Sequence, residues 1–477
     1  MSGLLAVAPL LAVAIGALIV LVLEAFTRPR RAEPLGYLSA AFLSVAAVLG
    51  ARSWGRDYSG FGGQIVLDRT AVLLCVAMAV AGVFVVFMSL RYLPRRGMDR
   101  AEYYALLLFA VLGSMIMVST TSLLVVFLGL EVLSVASYAL AGLRKDDPRS
   151  VEAAVKYFLM GSFASAFLVF GLALLYGAAR SLDIRAVAAA FAGPDGDSLL
   201  GPAGLMLVIV GFSFKIALVP FHMWTPDVYQ GAPTPVTAFF AVAPKAAGFA
   251  VLFRLVAPVG DQAFRSAKIH AVLGIVAGLT MLVASLTALR QRNVKRLLAY
   301  SSIANAGYLL VAVLAGDGVG LMFFLAAYLF MSFGAFGALA AMSRRGEEFH
   351  DLDDFAGLGD RNPWLAALFA VFLISLAGFP PLGGFLAKYY IFSAAVHKGL
   401  TPLVLVGLLA SLISAYYYLR IVVVMYMKDP VRDIEPDVDV PAVYLVLFLC
   451  LYGVLQLGLF PGRLLLVFQR ALASLIM

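Results

Sequence analysis

The stretch GFSFKIALVPFHMWTPDVYQGAPTPVTAFFAVAPKAAGF (211–249) sets two lysines, Lys215 and Lys245, inside apolar runs interrupted by proline. An ammonium group in such a run is costly to bury, so it marks a functional site by default. Pro220 lacks a backbone donor and its ring clashes with the preceding turn. Within a bilayer, the polar groups freed in this way are tolerated only where protein or water meets them. The stretch therefore reads as an interrupted membrane helix, ending near 224, and a second span over 232–257, with one basic side chain in each.

Working outward, the whole chain has the same character. Of its 477 residues 63% are hydrophobic and 13% charged, and the mean hydropathy is +0.98. That excludes a water-soluble globule with a polar skin and predicts an all-α polytopic membrane protein. Apolar stretches of sufficient length number about fourteen, near 3–23, 35–51, 70–93, 103–118, 120–143, 150–179, 201–224, 232–257, 269–289, 296–316, 318–343, 362–396, 403–427 and 440–460. Met1 to Pro9 carries no Lys or Arg, so the first span reads as a retained helix rather than a signal peptide.

Charge in the loops is asymmetric. One face collects Arg28, Arg30, Arg31, Arg91, Arg95, Arg96, Arg100, Arg144, Lys145, Arg149, Arg290, Arg292, Lys295, Arg296, Arg344, Arg345, Arg361, Lys428 and Arg432, nearly twice the number on the other face. The positive-inside rule puts the richer face in the cytoplasm and both termini outside. The asymmetry also accounts for the isoelectric point near 9.4, and no loop has the size or aromatic interleaving of a nucleic-acid module. Cys75 and Cys450 stand alone within apolar spans, which excludes iron–sulfur and structural zinc sites built from cysteine clusters. His222, His270, His350 and His397 read near span ends or loops, poor places for haem ligands, so the chain carries no evident electron-transfer cofactor.

Internal symmetry is the next signal. EVLSVASYALAGL (131–143) followed by YFLMGSF (157–163) is echoed by LAYSSIANAGYLLV (298–311) followed by YLFMSF (328–333). The copies begin five helices apart, and an odd offset reverses their direction through the membrane, as in the inverted repeats of transporters. This predicts one polytopic domain over 1–477, divided into a three-helix segment (1–102), a first repeat (103–257, spans 4 to 8), a second repeat (269–427, spans 9 to 13) and a C-terminal helix (440–477). Spans 7 and 12 correspond, and both carry breakers: Gly211 and Pro220 in one, Gly378-Phe379-Pro380-Pro381 with Gly383-Gly384 in the other. Interrupted helices in a bilayer suggest hydrated ion sites.

Two further charges join the lysines in apolar runs. Glu131 lies at mid-span, beyond reach of the interface, where the competing reading is a static ion pair. Lys388 lies nearer the outer face and could extend its ammonium to water. Glu152 and Lys156, spaced i,i+4, form either an ordinary helix ion pair or an inner proton-uptake site. Arg420 is read as reaching the interface or an anionic lipid, Glu24 as interfacial, and His222 as a structural hydrogen-bonding residue with titration as its alternative. Lys295 is a further candidate for coupling. An acid and three lysines in one bundle cannot all be charged without severe cost, so some must exchange protons. A lysine that gains or loses a carboxylate partner switches between holding and releasing its proton. The expected order is a Glu131–Lys215 pair, relay at Lys245 and release at Lys388. Moving each charge against the membrane potential needs about 2.3 kcal/mol per 100 mV, and the chain has neither a Walker A motif nor a redox centre, so a partner subunit or an ion gradient must drive it.

The 211–249 run, with FLGLEVLSVASYAL (127–140), NVKRLLAYSSIANAGYL (293–309) and GFPPLGGFLAKYYIF (378–392), resembles the antiporter-like membrane subunits of NADH:quinone oxidoreductase, respiratory complex I. Among these the chain looks most like the N-type. Lys388 stands where the M-type relative has a glutamate, and the chain stops soon after span 14, whereas the L-type continues into a long lateral helix. The resemblance implies a proton channel whose polar axis maps onto Glu131, Lys215, Lys245 and Lys388. It also implies that NADH, FMN, iron–sulfur clusters and quinone belong to partner subunits or to the complex, and that other antiporter-like paralogues are neighbours. Two other readings stay open: a subunit of a multisubunit cation/proton antiporter or related hydrogenase-type complex, and a structural membrane spacer that moves no ions. A sodium site would favour further mid-membrane carboxylates, of which the sequence offers only Glu131, and a spacer would leave the buried charges unexplained.

Overall fold

In the computed structural model of the chain, residues 2–27, 31–192, 199–259, 267–344, 347–348, 350–430 and 441–473 are described. Arg28, Arg30, Arg345 and Arg432 of the charge-rich face lie outside them. In chain order the helices are α1 (Ser2–Thr27), α2 (Glu33–Arg52), α3 (Arg69–Arg95), α4 (Glu102–Val118), α5 (Leu123–Ala141), α6 (Pro148–Ala179) and α7 (Ile184–Ala192). They continue as α8 (Leu200–Lys215), α9 (Trp224–Gly231), α10 (Thr234–Val259), α11 (Ala267–Leu289), α12 (Val294–Ala315) and α13 (Gly318–Ala341). The last are α14 (Leu358–Arg361), α15 (Pro363–Ala377), α16 (Gly383–His397), α17 (Thr401–Met427), α18 (Pro441–Leu459) and α19 (Gly462–Ala473). Among the described residues, 11 of these are long and apolar enough to cross a membrane, and α4, α8 and α15 are shorter apolar helices.

Local chemistry sets the ends. Asp68 begins α3 by accepting from the Ala71 amide at 2.7 Å, Asn293 begins α12 through Arg296, and Asn362 begins α15 through Leu365, with Pro363 in the first helical position. Each supplies an acceptor for amides that the helix cannot pair internally. Gly316 and Gly378 stop α12 and α15 in the left-handed conformation.

Burial sorts the helices into a centre and a shell. The most apolar window of α10 is 100% buried and that of α12 94%, whereas that of α6 is 33%. A helix apolar all round and covered all round is a core helix, and an apolar helix with an open face meets lipid or a neighbouring subunit. Close approach depends on small residues. A Cβ at Gly113 on α4 would lie 2.5 Å from the Gly129 carbonyl of α5, and one at Gly171 on α6 would lie 2.7 Å from the Gly204 carbonyl of α8. These contacts seat the helices that carry Glu131 and Lys215.

Span 12 is broken at Gly378–Pro381, and span 7 is broken around Pro220, but Gly211 stays inside α8, and the span expected to end near 224 resumes there as α9. Helix α8 ends at Lys215 and α9 starts at Trp224; α15 ends at Ala377 and α16 starts at Gly383. Other expectations are corrected. The C-terminal segment forms α18 and α19, parted at Phe460 and Pro461, because proline cannot continue a helix. Arg420 has protein partners at the loop end of α11: its guanidinium donates to the carbonyls of Leu289 (2.9 Å) and Gln291 (2.5 Å), where carbonyls lack internal partners. Lys295, counted with the loop charges, is 1% exposed. Lys388 is buried rather than extended to the outer face.

Candidate functional site

The charges lie on helices packed about the two breaks, the three lysines buried and Glu131 half-buried. Glu131, on α5, accepts a hydrogen bond from Ser165 of α6 at 2.5 Å. Lys215, the last residue of α8 and 4% exposed, donates to Ser134 of α5 at 2.9 Å and to the Tyr157 hydroxyl of α6 at 3.3 Å. Ser134 stands one helical turn from Glu131, so carboxylate and ammonium approach along one face of α5. They form no direct ion pair, and Ser165 and Ser134 stand as their respective partners. Ser134, Ser165, Tyr138 and Lys215 line a cavity of about 10 Å³, roughly what one water needs.

Lys245, in the fully covered α10, donates to both the carbonyl and, at 2.5 Å, the hydroxyl of Ser302 on α12. The Ser302 hydroxyl also meets the Tyr229 hydroxyl of α9 at 3.2 Å. Lys388, on α16, donates to the carbonyls of Leu376 (3.2 Å) and Ala377 (2.9 Å) and to Ser411 of α17 (2.9 Å). Those carbonyls are in the last turn of α15, where the chain break leaves them without helical amides and at the negative end of the helix dipole. The broken helix thus makes its own ammonium site. Each of the three lysines also lies over a tyrosine ring: Lys215 over Tyr157 (5.3 Å), Lys245 over Tyr328 (5.6 Å) and Lys388 over Tyr308 (5.1 Å). Such a face attracts the charged form of the amine.

Helix α12 joins the two ends of this line. Ser302 serves Lys245, and Tyr308 serves Lys388. Between them Asn305 donates to the Ser301 carbonyl at 2.9 Å, and the Ser301 hydroxyl bonds the Tyr418 hydroxyl of α17. Ser301, Asn305 and Tyr308 follow the helical repeat and share a face.

A second cluster lies toward the charge-rich face. Lys156 meets Glu152 and Asp227, each at 2.6 Å. Arg296 meets Asp227 at 2.6 Å and Gln230 at 3.0 Å. The structure therefore joins Glu152 and Lys156 but adds Asp227 and Arg296, which the sequence reading did not single out as a site. No spacing in the sequence signals Asp227, since its partners come from α6 and α12. Lys295 donates to the Ala232 carbonyl at 2.7 Å, and His222 lies half-buried in the break between α8 and α9, its Nδ1 without a hydrogen-bonding partner. A buried ion pair was also missed: Arg254 of α10 and Asp68 meet at 2.8 Å. Arg254 bears the same mark as Lys245, a charge in an apolar run. Among the described residues no three His, Cys, Asp or Glu side chains gather as a metal site, and Cys75 and Cys450 are buried free thiols.

Comparison with known proteins places this arrangement. Residues 120–414 match the family described as NADH:quinone oxidoreductase/Mrp antiporter, transmembrane. NADH-quinone oxidoreductase subunit N 1 of Solibacter usitatus is 41% identical over 96% of this chain and 94% of its own, and subunit N 2 of Roseiflexus castenholzii is 43% identical over 93% and 91%. A chain of respiratory complex I from Thermus thermophilus superposes with a TM-score of 0.83 at 34% identity, covering 96% of this chain and 98% of that one. A chain of the Mrp complex from Dietzia, at 22% identity and a TM-score of 0.86, shares the fold. The match across most of the chain, in sequence and in architecture, shows that it belongs to the NADH:quinone oxidoreductase/Mrp antiporter family, among the N-type antiporter-like membrane subunits.

Proposed function

We propose that the chain is a proton-translocating subunit of NADH:quinone oxidoreductase in the bacterial inner membrane, carrying protons from the cytoplasm to the outside along Glu131, Lys215, Lys245 and Lys388. The observation that supports this most is the placement of the lysines. Three lysine amines lie buried among the central helices, each over a tyrosine ring, Lys215 held by two hydroxyls and Lys245 and Lys388 by hydroxyls and carbonyls. Buried charge is retained at such cost where it has work to do.

On this reading the chain has about fourteen spans, with inverted repeats over 103–257 and 269–427 and both termini outside. The cluster of Glu152, Lys156 and Asp227 lies on the uptake side, with Lys295 and His222 near it. Glu131 and Lys215 exchange charge across the small cavity between Ser134 and Ser165 rather than by direct contact. The proton passes to Lys245 and then along the α12 face to Lys388. Redox chemistry belongs to partner subunits holding NADH, FMN, iron–sulfur clusters and quinone, and antiporter-like paralogues flank the chain.

The test is NADH:quinone turnover and NADH-driven proton pumping in membranes carrying Lys215→Ala or Glu131→Ala, each normalised to assembled complex. Loss of both activities in intact complex is expected. Wild-type pumping and turnover would sink the proton path and leave a spacer.

A further inference from the structure

Helix α9 is the short half of a broken span, yet it touches the surroundings of two lysines. At its start the Trp224 ring stacks on Tyr157 (4.4 Å between centroids, 8° between planes), and its indole donates to the Phe214 carbonyl of α8 at 2.9 Å. Tyr157 is the residue whose hydroxyl and ring meet Lys215. At its other end Tyr229 meets the Ser302 hydroxyl that Lys245 holds. Between these two aromatic residues stands Asp227, with one carboxylate oxygen on Lys156 of α6 and the other on Arg296 of α12. Lys156 is the chain neighbour of Tyr157, and α12 carries Ser302.

Eight residues make about two helical turns, too few to hold a helix in place by propensity alone. Its position must come from tertiary contacts. Asp227 gives α9 two charge-assisted bonds at 2.6 Å, the strong class of hydrogen bond, directed at the two helices whose side chains serve Lys215 and Lys245.

We propose that Asp227 is a positioning residue: by clamping α9 between α6 and α12 it holds Trp224 and Tyr229 where they link the surroundings of Lys215 and Lys245. This rests on the proton-path reading of those lysines. The carboxylate need not carry a proton itself. Its work is geometric, and the path through it runs from Asp227 to Tyr229, Ser302 and Lys245.

The test uses the assembled complex in membranes carrying Asp227→Asn, Asp227→Glu, Tyr229→Phe or the Asp227→Asn/Tyr229→Phe pair, beside Lys215→Ala. Complex content, NADH:quinone turnover and proton pumping are measured for each. Asp227→Asn is expected to assemble, because Lys156 keeps Glu152 and Arg296 keeps Gln230. Its turnover and pumping per complex fall by roughly tenfold, below the hundredfold that a one-ångström misplacement can cost. Asp227→Glu restores most of both. The double variant is no worse than the weaker single one, since groups acting in one chain are not additive. A purely structural aspartate would lower complex content and leave activity per complex intact, which overturns the proposal. Wild-type activity in Asp227→Asn, or additive losses in the double variant, overturns it as well. Should Asp227→Asn fail to assemble, Tyr229→Phe decides, since it removes only a hydroxyl, and wild-type pumping there ends the proposal. Lys215→Ala separates the two levels. If it pumps normally the proton path itself fails; if it is inactive while Asp227→Asn is unimpaired, only the clamp fails.

Discussion

Lys388 donates to the carbonyl of Ala377 at 2.9 Å, bridging the break in the span that carries both residues. The carbonyls that the break deprives of helical amides are thus the ones that hold the buried ammonium. Gly378 permits this: a Cβ there would lie 3.1 Å from Lys388 Cδ, and its φ of +90° suits glycine. A polar defect in the backbone and a charge in the side chain each satisfy the other.

Lys388→Arg separates holding a charge from exchanging a proton. Guanidinium can bond the same carbonyls but does not deprotonate in proteins. The complex is expected to assemble, with pumping reduced on the order of a hundredfold, the scale of a lost proton-transfer group. Pumping at the wild-type rate per complex would remove Lys388 from the path.

Ser134→Ala takes away one of the hydroxyls that Lys215 bonds and leaves Tyr157 in place. A single buried hydrogen bond of this kind is worth about 1 kcal/mol, so turnover should drop by about fivefold. Turnover against NADH at saturating quinone reads this out. No change would show that Tyr157 alone supports the ammonium.

Gly171→Leu places a branched side chain against the backbone carbonyl of Gly204, 2.7 Å from the new Cβ. The rigid backbone of α8 cannot yield locally, so α6 and α8 must part, at a cost of about 1 to 3 kcal/mol. Less assembled complex in the membrane is expected, measured by native gel, because the displaced α8 carries Lys215 with it.

The Arg254–Asp68 pair should reveal itself as a pair. Arg254→Gln strands the Asp68 carboxylate in a buried site and costs about 3 to 5 kcal/mol, while Arg254→Gln with Asp68→Asn costs less than either charge left alone. Thermal midpoints of the purified complex test the order of Arg254→Gln, Asp68→Asn and the double variant. Asp68 also caps α3, and asparagine retains that role.

Burial raises the carboxyl of Asp317, the cap of α13, above the ordinary carboxylate range, opposed by bonds from the Gly320 and Val319 amides. A carboxyl raised on folding binds its proton more tightly in the native state, so stability falls as pH rises from the unfolded pKa through the folded one. Asp317→Asn keeps a capping oxygen and removes that loss. The variant should therefore match or exceed the parent in thermal midpoint at neutral pH and lose the advantage in acid. An equal deficit at both pH values would contradict this.

The sequence by itself determined the class of the fold, that spans 7 and 12 break near Pro220 and Pro380, and which charges stand inside apolar runs. All of these follow from chain-local quantities: apolar run length, the missing amide of proline, and the transfer cost of Glu131, Lys215, Lys245 and Lys388. It also allowed the family resemblance to be stated, since FKIALVPFHMWTPD is contiguous. Which groups meet was decided by the tertiary structure alone. Lys215 meets Ser134 and Tyr157, Arg420 closes the end of α11, Lys295 turns inward, and Asp227 draws Lys156 and Arg296 together. Partners such as Asp227 and Lys156 are 71 residues apart, and hydrogen bonding depends on distance and direction in space. Helix periodicity places a residue on a face, but only the packing of that face against others chooses its partner.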